Sequence, residues 1–317
     1  MSNTHRAVLA TVIASSIVII SLRATAEHKK TGSLWEHDNL VAWCVVPFDA
    51  NHRGPEQRAQ MLRQLGFKHF AYDWREKDIP TFDAEIEALQ KYGIDLFAWW
   101  FPLDADDPVA RQTLEVFKRH NVHPQLWVMQ SQKRPVGPKN AKPMTREEQQ
   151  QRVRQEANRI SALVKLAAPY GSKIELYNHN GWYGVVENEL AIISRLKEIG
   201  VSDVGMVYNL SHAHDEVHDD TRDFPALWTR MQPHVVAVNI TGMGPVDQII
   251  YPSQGTLELN MMRTIEKSGW KGAVGLIAEK GGDAKVTLKN YMIGLDWLAA
   301  EIMQPNSGGP RPFPRVP

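Results

Sequence analysis

The chain has 317 residues, and its 36 Lys and Arg balance 36 Asp and Glu, so it carries no formal net charge at pH 7. A nucleic-acid binder needs a basic stripe to neutralise phosphates, and none is visible. The one cysteine, Cys44, excludes an internal disulfide; inside an apolar run it reads as a small buried hydrophobe and not as a nucleophile.

At the N-terminus, Arg6 precedes an apolar stretch from Ala7 to Leu22, and Ala24-Thr25-Ala26 is an A-x-A cleavage signal. Residues 1–26 therefore read as a secretory signal peptide cut before Glu27. An uncleaved anchor is the alternative, because Arg23 interrupts the region before the cut and the apolar run approaches spanning length. Either way the remainder is expected outside the cytoplasm, periplasmic or secreted, and membrane-attached only if the leader stays on.

From residue 27 to 304 a single rhythm repeats. Short apolar runs begin at Leu40, Phe67, Ile94, Val122, Lys173, Val204, Val235 and Ala273, and each is followed by a segment of helical pattern. Unbroken runs rich in Val, Ile and aromatics suit strands buried on both faces of a parallel sheet. The intervening helices carry their own punctuation. Pro55 opens one that Gly66 stops, Asn121 ends another, and Thr145 with Glu148 has capping-box spacing. The first half of the helix after Thr145 is polar all round and is expected to project into solvent. Eight such βα units predict an α/β protein formed as a single (β/α)8 TIM barrel, typically about 250 residues. A doubly wound open sheet is the competing architecture, but it would show a glycine-rich phosphate loop, and none is present. Residues 132–143 form a basic, Pro-rich loop, read as solvated, with the holding of an anionic substrate as a second reading. The Pro/Gly-rich tail, 305–317, is expected to be disordered.

In a TIM barrel the chemistry sits where strands end. Those ends carry Tyr72, Asp73 and Trp74; Trp99 and Trp100; Trp127 and Gln130; Glu175, Tyr177, Asn178, His179 and Asn180; Tyr208, Asn209, His212 and His214; Asn239 and Thr241; and Glu279 with Lys280. Aromatic walls take the C–H face of a sugar ring while amides, imidazoles and carboxylates read its hydroxyls. Trp99 and Trp100 must point to opposite sides of their strand, so at most one is a sugar platform; Trp100 is chosen. Glu175 is read as structural. His214 and His218 stand four apart, like the histidines of a zincin helix, but Asp215 occupies the place of the catalytic Glu, and Asp215–Asp223 reads better as an acidic lid.

The segments YNHNGWYGVVENEL, YNLSHAH and GLIAEKG resemble strand ends five, six and eight of the xylose-isomerase-like TIM-barrel superfamily, which includes sugar epimerases, inosose dehydratases and endonuclease-IV-type enzymes. The resemblance spans roughly Leu40 to Ile302 and implies a divalent metal held by a strand-five Glu, a strand-six Asp, a strand-seven His and a strand-eight Glu. This chain has Tyr177, Asn209 and Asn239 at the first three positions and keeps only Glu279, with His212 as the second member of the strand-six motif. The family's ligands are thus largely replaced. An ion held by His179, His212 and Glu279 is the alternative metal site, since two imidazoles and a carboxylate suit zinc.

The reading is an exported enzyme that isomerises, epimerises or eliminates next to a sugar carbonyl. Glu279, His212 and His179 are the catalytic candidates; Asp73, Trp100, Tyr177, Asn178, Asn209, His214, Asn239 and Lys280 are the candidates for binding substrate. The expected partner is a small-molecule carbohydrate, with no nucleic acid and no membrane once the leader is gone. A catalytically inactive carbohydrate-binding barrel is the competing function. Abasic-site DNA cleavage conflicts with the neutral charge, the expected export and the missing zinc ligands.

Overall fold

A computed structural model of the chain describes residues 33–129, 144–179, 181–213, 219–244 and 248–316. The leader, the basic loop 132–143, Gln130, Asn180, His214 and His218 lie outside the described residues.

Eight parallel strands close into a barrel. In chain order they alternate with helices as β1 (Leu40–Trp43), α1 (Pro55–Leu65), β2 (His69–Tyr72), α2 (Phe82–Lys91), β3 (Asp95–Trp100), α3 (Pro108–His120), β4 (Gln125–Val128) and α4 (Arg146–Ala167). The second half continues with β5 (Ile174–Tyr177), α5 (Val186–Glu198), β6 (Val204–Asn209), α6 (Phe224–Met231) and β7 (Val235–Asn239). A two-stranded ribbon of β8 (Gly242–Met243) and β9 (Ile249–Ile250) follows, then α7 (Glu258–Lys267), β10 (Ala273–Ile277) and α8 (Ala284–Met303). The barrel order is β1-β10-β7-β6-β5-β4-β3-β2, so each barrel strand pairs with its chain neighbours and β10 closes on β1. This is the (β/α)8 architecture expected from the repeat. The β8–β9 ribbon was not expected.

The helix ends behave as their residues require. Gly66 closes α1 at φ 88°, a left-handed conformation that costs glycine nothing. Asp107 caps α3 by accepting the Val109 N–H at 2.8 Å. Thr145 and Glu148 form the reciprocal capping box, at 2.6 and 3.2 Å. The polar first half of α4 is not left wholly to solvent. Gln149 accepts from the Trp182 indole at 2.7 Å, and the Arg152 guanidinium lies 4.5 Å from the centre of that ring. No helix among the described residues is long and apolar enough to cross a membrane.

Two aromatic layers separate the barrel lumen from the helix packing. Inside, Trp43, Trp100, Trp127 and Tyr177 pack together. Trp127 meets Trp43 edge-on at 4.7 Å and lies parallel to Tyr177, 7° apart in plane. Outside, Trp99 packs on Phe82 at 4.7 Å and Phe117 at 5.1 Å. The tandem tryptophans therefore do face opposite ways, and Trp100 is the inward one. Gly275 of β10 leaves room for this filling, since a β-carbon there would lie 2.5 Å from the Trp43 ring. Each buried aromatic contributes roughly 1.5–3 kcal/mol by leaving water.

The helix ring carries one deeply buried ion pair. Arg58 of α1 grips Glu85 of α2 through two bonds, at 3.0 and 2.9 Å. The tail that composition marks for disorder makes specific contacts as far as Val316. Phe313 packs on Tyr251 with ring centres 5.0 Å apart, Arg311 lies 4.3 Å from the Trp297 ring centre, and the Val316 N–H donates to Gln254 O at 3.0 Å. An aromatic ring and a guanidinium supply the anchoring energy that its prolines and glycines lack.

Candidate active site

Asp73 follows the last residue of β2 and is 2 % exposed. Its Oδ1 accepts the Val46 N–H at 3.2 Å, while Oδ2 has no hydrogen-bond partner among the described residues. Burial pushes this carboxyl up to about 7, against the pull of the Arg75 guanidinium and the Val46 N–H. Glu279, two residues beyond β10, is likewise pushed up to about 7 by burial, with Arg75 again opposing. Both acids therefore titrate near neutrality, where a proton can be taken or given.

Cys44 belongs to the same cluster. It leaves β1 at φ 51°, uncommon for a residue with a side chain, and its thiol is held protonated first by burial and then by the charges of Asp73 and Glu279. This agrees with its reading as a non-nucleophile. Arg75 escaped the sequence reading. It anchors by donating to the carbonyls of Asp73 and Trp74 at 2.8 and 2.9 Å, and its charge reaches Asp73, Glu279 and Cys44. The only sequence signal was its position two residues after Asp73, in a loop leaving a strand end.

On the opposite half of the mouth, Tyr177 is the common neighbour. Its ring centre lies 6.0 Å from those of both His179 and His212, whose own centres are 4.6 Å apart. Both histidines are partly exposed. Tyr177 is also within electrostatic reach of Glu279, Asp73 and Cys44. Burial, more than those neighbours, raises its phenol further above the usual range, so it stays protonated.

The amides next to Tyr177 form a ladder. Asn209 donates Nδ2–H to Tyr177 Oη at 2.8 Å. Asn209 Oδ1 accepts from Ser211 N, Ser211 Oγ and Asn239 Nδ2 at 2.9, 2.8 and 2.6 Å. Asn239 Oδ1 is buried and has no partner among the described residues. Asn178 plays a different part from the one expected of it. Its Oδ1 accepts the Asn209 N–H at 2.6 Å and its Nδ2 donates to Asn209 O at 3.3 Å, so the amide is committed to holding β6 in register. Lys280 is exposed and lies against the ribbon, donating to Ile249 O at 2.9 Å with its ammonium 4.6 Å from the Tyr251 ring centre. Trp100, 9 % exposed, lies in the aromatic floor. Glu175 is buried two residues below Tyr177 and is pushed up to about 8 by burial, consistent with a structural, neutral acid.

Whether this arrangement could hold the metal implied by the resemblance depends on its donors. Tyr177, Asn209 and Asn239 are a protonated phenol and two neutral amides, and the Asn209 oxygen already accepts three hydrogen bonds. A divalent ion needs charged or free lone pairs, so this donor set does not fit. The alternative set of His179, His212 and Glu279 is not brought together as a metal-holding group either. Among the described residues no group of three or more His, Cys, Asp or Glu could hold a metal ion. The neighbour common to the two imidazoles is the Tyr177 ring.

No protein-family model matches this chain, and no curated protein matches it in sequence. Solved structures do match it in fold. The IOLI protein with a binding zinc atom is 14% identical at TM-score 0.58, covering 84% of this chain and 99% of that one. A xylose isomerase-like TIM barrel protein from Mycobacterium smegmatis in complex with magnesium is 11% identical at TM-score 0.55, covering 88% and 100%. D-allulose 3-epimerase from Methylomonas sp. in complex with D-allulose is 14% identical at TM-score 0.54, covering 85% and 96%. At these identities the likeness establishes the fold alone, a (β/α)8 barrel.

Proposed function

We propose that the protein is a carbohydrate-active enzyme that moves a proton on a carbon next to a sugar carbonyl, isomerising, epimerising or eliminating. Glu279 is the proton-transfer group, and His179 with His212 are its acid/base partners. The observation that carries this reading is the position of Glu279, a carboxyl at a strand end whose burial brings its titration to about 7. Aromatic side chains beneath the site and amides beside it suit a polyol. The fold likeness to a D-allulose 3-epimerase in complex with D-allulose supports a sugar as substrate and proton transfer as the chemistry. The same likeness to zinc- and magnesium-containing structures does not extend to the donors of this chain.

The enzyme works outside the cytoplasm in this reading, with residues 1–26 removed as a leader. Mass spectrometry of the protein from its native host tests this point: Glu27 as the first residue supports it, and an intact N-terminus on membrane-bound protein contradicts it.

A screen of aldoses, ketoses and oxidised sugars in D2O tests the chemistry, because proton transfer next to a carbonyl incorporates deuterium at that carbon. Incorporation by the wild type that is lost in Glu279→Gln supports the assignment. The loss of the metal ligands favours a second reading, a binding barrel without chemistry. Saturable sugar binding with no deuterium incorporation would select it.

A further inference from the structure

The polarity of the amide ladder is fixed from one end. Ser211 donates its backbone N–H to an Asn209 side-chain atom at 2.9 Å, and since a backbone N–H can only donate, that atom is Oδ1. The atom facing Tyr177 Oη at 2.8 Å is therefore Nδ2, and the phenol oxygen must accept there. The phenol's own proton is consequently not spent on the ladder, and Asn209 is the hydrogen-bond partner that Tyr177 Oη has among the described residues. By the same logic Asn239 presents Nδ2 to Asn209, which leaves Asn239 Oδ1 as an unpartnered, buried acceptor. One backbone N–H thus sets two groups for a ligand: a phenol that donates and an amide oxygen that accepts.

We infer that Tyr177 is the electrophile of this site, its O–H polarising the substrate carbonyl and holding the resulting oxyanion at the position where metal-dependent enzymes of this fold use an ion. The inference rests on the proposed proton transfer by Glu279. In the step, the Glu279 carboxylate takes the proton from the carbon beside the carbonyl. The C–H electron pair becomes the new C=C bond, and the carbonyl π pair moves onto oxygen as negative charge, against the Tyr177 O–H. Delivery of a proton to the opposite face of the same carbon by His179 or His212, with Glu279 later giving up the one it took, completes epimerisation. Return of the Glu279 proton to the neighbouring carbon, with the hydroxyl proton passing to the oxygen held by Tyr177, completes isomerisation. Neither involves net oxidation. A preorganised donor in a site closed to water is worth far more than in solution, and a buried phenol can stabilise an enolate without a metal. Tyr177 is 2 % exposed, stacked on Trp127, and kept protonated by its burial. Asn209, by donating to the phenol oxygen, leaves the phenol proton free of the amide.

Binding of threonohydroxamate, a planar mimic of an enediolate, tests this by calorimetry, with EDTA and then with added Mn2+. The wild type should bind equally with and without EDTA. Tyr177→Phe, which keeps the ring and removes the hydroxyl, should bind roughly 10- to 100-fold more weakly, the worth of one charge-assisted hydrogen bond. Asn209→Asp provides a second variant that retains the phenol. Its new carboxylate accepts the Tyr177 proton, so binding in EDTA should fall although the hydroxyl remains. Unchanged affinity in Tyr177→Phe, loss of wild-type binding in EDTA with recovery in Mn2+, or no wild-type binding under either condition would each overturn the inference. Full turnover by Glu279→Gln would instead defeat the proton-transfer reading, and it leaves the hydroxamate result on Tyr177 independent.

Discussion

The Asn209 side chain donates to the Tyr177 hydroxyl at 2.8 Å, joining the ends of two adjacent strands through a neutral bond at the barrel mouth. At these positions the resemblance calls for an Asp and a Glu, which could not share a hydrogen bond while both are charged. The substitution of both by neutral groups changes the electrostatics of the mouth. The carboxyls Asp73 and Glu279 are pushed up by burial and drawn down by Arg75.

Asp73→Asn should stabilise the fold at neutral pH. The carboxyl is raised to about 7 in the folded protein, so the folded state binds more protons there than the unfolded state. Its stability contribution is full below the ordinary Asp range and is lost as pH rises toward 7. Asparagine mimics the neutral acid, so variant and wild type should have similar stability near pH 4. By pH 8 the variant should be more stable by a few kcal/mol, at roughly 1.4 kcal/mol per pH unit. Urea unfolding at the two pH values checks this; a variant less stable at pH 8 contradicts the burial argument.

Arg75→Gln should move the pH–rate profile. Arg75 is the group that opposes burial at both Glu279 and Asp73, so its loss raises both carboxyls further. The acidic limb, set by Glu279 as a base, should shift to higher pH by a fraction of a unit. A limb that stays fixed or moves down contradicts the assignment of that limb to Glu279.

The sequence made the barrel legible because its strands are largely buried on both sides and so write short, mostly apolar runs. Alternation then separated Trp100 from Trp99, and the capping box of α4 was readable from Thr145 and Glu148 alone. Long-range geometry was less accessible. The β8–β9 ribbon has two residues per strand, too few for a periodic signal. Asn178 looked like a ligand-binding amide because its bonds to the Asn209 backbone depend on the register between β5 and β6. Arg75 acts through charge across the mouth, which no local pattern records. The tail followed composition in the sequence reading, but Phe313 and Arg311 find partners some 60 residues away in one case and on α8 in the other.

Glu85→Ala should be among the most destabilising changes in the helix ring. Glu85 is fully buried and holds both Nε and Nη2 of Arg58, so its removal leaves a guanidinium buried without its counter-charge. Breaking such a pair from one side costs roughly 3–5 kcal/mol. Chemical denaturation measures it, and a loss below about 1 kcal/mol would mean that the pair is hydrated in solution.

The most direct test of the account is the rate of deuterium incorporation by Glu279→Gln on a sugar that the wild type exchanges. Glutamine keeps the size and reach of the side chain but cannot take a proton. Incorporation should fall by roughly two to four orders of magnitude while sugar affinity changes little, since the aromatic floor and the amide ladder are untouched. Incorporation at the wild-type rate would contradict the account.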